Sequence, residues 1–109
     1  MTIDVSDVAE KMLAAAKGVV GDKWPTTKSY FESEAKIFAE RFASIAALHA
    51  SGAISEERAK SHVEFQKESW ETVLLVVVGL NQLMVEEALN AALKAVKEIV
   101  NKAIGFALI

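Results

Sequence analysis

Apolar positions recur every three or four residues along most of this chain, the period of helices buried on one face. From Asp4 to Val20 the stripe is Val5, Val8, Met12, Ala15 or Ala16, and Val19. Asp4 or Ser6 caps its start, Asp7 and Glu10 suit its positive end, and Gly18 and Gly21 weaken its finish. Gly21 to Pro25 reads as a loop. A second helix is predicted over 27–51, with Thr26 or Thr27 as cap and Ser29 and Glu32 spaced as a capping box. Its stripe is Phe31, Ala35, Phe38, Phe42, Ile45 and His49, widened by Tyr30, Ile37 and Leu48, and Gly52 is a left-handed stop.

The third segment opens with Ser55 as cap and Ile54 and Ala59 spaced for a hydrophobic staple. Ala59, Val63, Gln66, Trp70, Val73, Val77, Leu80 and Met84 then form a heptad seam, continued by Val85, Leu89, Ala92, Val96, Ile99 or Val100, and Ala103. Inside it, Val73 to Leu80 is an unbroken run of apolar residues and glycine. Gly79 costs a helix only ~1 kcal/mol relative to alanine, and neither proline nor a polar cluster stands nearby. The pattern therefore predicts one continuous helix, about 55–105 and at most 55–107, ~75 Å long at 1.5 Å per residue. The alternative is a break near 79–82, which makes a four-helix up-down bundle.

The fold expected is all-α and a single domain over 1–109: a short N-terminal helix (4–20), then a long antiparallel helical hairpin. In the continuous form its second arm overshoots the first and needs a cover. The oligomer interface expected on it is Val73, Leu74, Val77, Leu80, Met84, Leu89, Val96 and Ile99. Thr72 to Val85 is too short for the ~20 residues of a membrane span, and glutamates flank it at Glu68, Glu71, Glu86 and Glu87. The apolar end from Ala103 to Ile109 is expected to dock on a subunit, with insertion at a surface as the alternative.

Composition sharpens this picture. Of 109 residues, 52% are hydrophobic, a high share for so small a body and one that points to a partner or ligand. The 12 basic and 15 acidic residues are interspersed, giving a net charge of -3 and no footprint for nucleic acid. Cysteine is absent, which excludes thiolate chemistry and disulfides and fits a reducing compartment. The acidic N-terminus, MTIDVSDVAEK, is unlike a secretory signal, so the expected location is cytoplasmic.

Candidate chemistry is sparse. His49 and His62 lie within a few turns of the hairpin loop and, with Glu57, are weak candidates for a zinc or iron site. Ala46 and Ala59 stand three residues before them, so no Glu-x-x-His pair exists. Glu32, Glu34, Glu40, Glu64, Glu68 and Glu71 are the carboxylates a ferritin-like bundle would use. They read instead as a solvated face, with Lys60 and Lys67 spaced to pair with Glu64 and Glu71. Trp70, Phe65, Phe38 and Phe42 read as core, or as the lining of an acyl-chain pocket. Arg41 reads as a partner for a glutamate of the third helix or as a snorkelling side chain. Gln66 reads as a register-setting polar residue in the seam or a rim position.

No catalytic residue, metal or cofactor is assigned, and the chain is not expected to be an enzyme. The first functional expectation is a structural or interaction protein that self-assembles as a homodimer or higher homo-oligomer, or takes a protein partner. The second is a binding module for an apolar ligand or membrane surface, with the membrane less favoured, and the third a ferritin-like metal-binding bundle.

Overall fold

A computed structural model describes residues 3–109, the side chain of Val77 excepted. It is all-α: α1 (Val5–Val20), α2 (Trp24–Ala50), α3 (Glu56–Thr72) and α4 (Gln82–Ile104). A 3₁₀ turn, Gly21–Lys23, joins α1 to α2, and α3 runs on as a π-helical segment, Val73–Val78. The four helices alternate in direction. Helix α1 lies along both α2 and α4, while α1 and α3 stand on a diagonal with no close backbone approach. The long dimension is 42 Å, about the length of the 27-residue α2 at 1.5 Å per residue.

The continuous last helix is therefore not formed, and the chain adopts the alternative with a break near 79–82. Gly79 takes the left-handed conformation, φ 80°, and its N–H and that of Leu80 both donate to the Leu74 carbonyl. Two residues later Asn81 caps α4, its Oδ1 accepting from the Met84 N–H at 2.9 Å. Breaking the helix gives up a few backbone hydrogen bonds, each worth a net ~1 kcal/mol. Folding back buries Val85, Leu89, Val96, Val100 and Ile104, each at 6% exposure or less. At ~1.5–3 kcal/mol per large apolar side chain, burial wins.

The π-helical segment also shifts the seam. Ala59, Val63, Gln66 and Trp70 are buried as the heptad predicts. A heptad places the next core residues at Val73 and Val77. The widened turn instead turns Leu74 fully inward and leaves Val73 half-buried.

Local signals account for most other boundaries. Asp4 accepts from the Asp7 N–H and Ser55 from the Arg58 N–H, capping α1 and α3. The end of α2 is a Schellman motif: Gly52 is left-handed, the Ala53 N–H donates to Leu48 and the Gly52 N–H to His49. The start of α2 differs from the expected one. It begins at Trp24, with Pro25 in its first turn and no side-chain cap. Proline is suited there, where no intrahelical donor is needed. Thr27 bonds back to the Lys23 carbonyl, and the Ser29–Glu32 capping box is not used.

The core has two textures. Val8, Met12, Ala16 and Val20 of α1 meet α2 and α4, the latter lined by Ala88 and Ala92, and such small side chains allow close helix approach. On the α3 side Trp70 fills the space, its ring edge-on to Phe31 at 5.9 Å and tilted to Phe38 at 5.5 Å. The Trp70 indole N–H has no hydrogen-bond partner among the described residues. At the far end α4 stops at Gly105, and Asn101 folds the tail back. Its Oδ1 accepts from the Leu108 and Ile109 N–H groups, and its Nδ2 donates to the Ile109 main-chain oxygen.

The two glycines of interest respond oppositely to alanine. Gly18 is helical with open space around it, so Gly18→Ala is expected to stabilise by ~0.5–1 kcal/mol. Gly79→Ala places a Cβ at positive φ and is expected to destabilise by ~1–2 kcal/mol. Urea denaturation of both variants checks this; stabilisation by Gly79→Ala would mean the last helix runs straight through.

Trp70→Ala is expected to cost ~3–5 kcal/mol. Trp70→Phe is expected to cost clearly less, because it keeps most ring contacts with Phe31 and Phe38 and removes an unpaired donor. Thermal melts of the two variants decide the order.

Candidate functional site

The fold divides the expected interface residues. Leu74, Leu89 and Val96 are fully buried within one chain and Leu80 is nearly so. A side chain covered by its own chain cannot meet another copy, so these four are core and not interface. Met84 and Ile99 are half-buried against the same core, and Val73 is half-buried on the outer side of the helix. Val77 was the remaining residue of that set, and its side chain lies outside the described residues.

What stays uncovered is the opposite side of α3 and its extension. Phe65, expected in the core, is 74% exposed in mid-helix, and Val76 is 76% exposed. Between them Ser69 and Thr72 are also exposed. Positions 65, 69, 72 and 76 are spaced by four, three and four residues, one face of a helix. A shallow hollow on this face is lined by Phe65, Glu68, Ser69, Thr72 and Val73. Leu83, across the Gly79 turn, is 66% exposed. The seam read from Ala59 matches the inward face as far as Trp70, and beyond it Leu74 turns inward in place of Val73. Phe65 departs from the core that its aromatic type predicts, because it stands two residues from Val63 and one from Gln66, both buried. The period alone places it outward.

The polar candidates are not brought into a reactive arrangement. His49 packs its ring on Phe106, centroids 4.7 Å apart. Exposed His62 lines a different hollow with Arg41, Ser61 and Phe65. Among the described residues no group of three or more His, Asp or Glu side chains is placed to hold a metal ion. Glu32, Glu40, Glu64 and Glu68 point to solvent, and Glu71 is half-buried. The ion pairs within 4 Å among the described residues are Lys11–Asp7 and Lys28–Glu32, so the expected Lys60–Glu64 and Lys67–Glu71 pairs and an Arg41–glutamate pair are not formed. No described helix is long and apolar enough to cross a membrane.

Glu34 is half-buried on α2, where burial strips water from its charged form and raises its pKa above the ordinary glutamate value. Compared with protein-family models, with curated proteins and with solved structures, the chain matches none.

The raised Glu34 pKa sets a sign. Between its ordinary and its raised value the native state holds more protons than the unfolded one, so stability falls as pH rises through that window and the cost persists above it. Glu34→Gln is therefore expected to raise the melting temperature at pH 7. The gain should disappear below the ordinary glutamate pKa, where the side chain is neutral in both states. A gain that is the same at acid and neutral pH would show that charge is not its cause.

Proposed function

We propose that this chain is a non-enzymatic interaction protein that self-associates through the outer face of α3. The observation that carries the reading is the stripe Phe65, Ser69, Thr72, Val76, large apolar residues at its ends and small polar ones between. Its four-three-four spacing is the same read in either direction. In a two-fold interface, residue i of one copy meets residue j of the other and j meets i. Two α3 helices laid antiparallel set Phe65 of each copy against Val76 of its partner. Ser69 and Thr72 then fall at the axis, where small side chains permit close approach. Glu68 falls opposite Val73 at the edge of the same contact.

This keeps the expectation of self-assembly and moves it to other residues. A contact along 12 residues of one helix, Phe65 to Val76 and ~16 Å long, falls short of the roughly 20–30 residues a side of a standard stable interface, about 1,600 Å² in all. The association is accordingly weak and dependent on concentration.

Sedimentation velocity from low micromolar to about 1 mM is expected to show the mass rising from 11.8 kDa toward twice that value. Phe65→Glu and Val76→Glu are each expected to abolish the rise with helicity and melting temperature almost unchanged, because both sites are exposed in the single chain. Leu89→Glu instead unfolds the chain. A monomer throughout the concentration range would sink the proposal, as would a dimer indifferent to both exposed substitutions.

A further inference from the structure

A second feature lies on the other flank of α3, where it faces α4 and the folded-back tail. A cleft of about 380 Å³ opens there, within the ~300–1,000 Å³ range of small-ligand sites. Its floor is apolar: Val63 of α3, Leu93 of α4 and Leu108 of the tail. Its rim carries three ammonium groups, Lys67 from α3 and Lys94 and Lys97 from successive turns of α4.

Two observations make this more than a gap between helices. First, the wall supplied by Leu108 is held in place. Asn101 spends its side-chain amide on three main-chain bonds, at 2.9 to 3.0 Å, that fold the tail against α4. Second, among the described residues no carboxylate lies within 4 Å of these lysines. Glu71 and Glu98 stand four residues after Lys67 and Lys94, yet neither pair comes within 4 Å. Glu64 is the one acidic side chain on the cleft. Three ammonium side chains thus stand with one carboxylate side chain among the lining residues. A chain with net charge -3 thus concentrates positive charge over an apolar hollow.

We propose that this cleft binds a single-chain amphiphile with an anionic head, its chain on Val63, Leu93 and Leu108 and its head among Lys67, Lys94 and Lys97. The volume of the cleft suits one short acyl chain and not the two chains of a membrane lipid. The ligand class is accordingly a free fatty carboxylate or a similar alkyl anion. The site is independent of the Phe65 face and stands whether or not the chain self-associates.

The test is a titration of the whole isotope-labelled protein with decanoate, below its micelle concentration, followed by amide NMR shifts. Saturable shifts at Val63, Leu93, Lys97 and Leu108 are expected. Lys94→Gln with Lys97→Gln, both exposed, should weaken binding about five- to tenfold with the fold intact. Phe65→Ser should leave it unchanged. Shifts centred on the Phe65 face would overturn the proposal, as would shifts that never saturate or an affinity indifferent to the lysines. Association with vesicles of mixed phosphatidylcholine and phosphatidylglycerol without saturable decanoate binding would overturn it too, assigning the lysines to a lipid surface.

Discussion

Gly79, Leu80 and Asn81 reverse the chain, and the placement of every apolar face follows from that reversal. Gly79 adopts a left-handed conformation that a side chain would resist, and Asn81 supplies a side-chain oxygen to the first turn of α4. Between them Leu80 drops into the core at 6% exposure. Without this turn α4 points away from α1, and the alanine and valine surfaces that α1 and α4 share have nothing to cover them. With it, the longest helix is α2 and the molecule is 42 Å long.

The reversal also sorts the greasy run Val73 to Leu80. A helix apolar on all sides must be covered on all sides, and a four-helix bundle covers one side only. Leu74 and Leu80 go inward, Val73 and Val78 lie half-buried, and Leu75 and Val76 are left on the surface. The π-helical turn chooses which is which, because adding one residue to a turn rotates the following side chains off the heptad line. The uncovered residues continue the outer stripe from Phe65, which is why the proposed self-association uses that stripe. On the opposite flank the same helix offers Val63 and Lys67 to a cleft completed by α4 and the tail. One helix thus has a core edge, a proposed pairing face and a proposed ligand face.

Much of this was legible in the chain. Asp4, Ser55 and Gly52 acted as caps and stop as their types predict, and Ala59, Val63, Gln66 and Trp70 were buried at heptad positions. These features are local: a side-chain oxygen near a free N–H, or a repeat within one helix, needs no knowledge of the rest of the fold. Helix α2 starts three residues before the predicted position, because Pro25, a loop signal after Gly21, is also favoured in a helix's first turn. The candidate sites were less legible. Phe65 was assigned inward on its chemistry although the period places it outward, and the cleft joins residues as far apart as Val63 and Leu108.

By itself the sequence determined that this protein is all-helical, where most of its helices begin and end, and which face of each is apolar, because helix propensity, capping and periodicity act within a few residues. The tertiary structure alone decided between a straight rod and a folded bundle. A glycine inside a helix costs only about 1 kcal/mol relative to alanine, too little to break the helix locally. The choice is made by the burial of Val85, Leu89, Val96, Val100 and Ile104 against distant parts of the chain, several-fold larger in total. For the same reason only the folded molecule shows which apolar residues of Val73 to Leu80 remain outside and open to a partner.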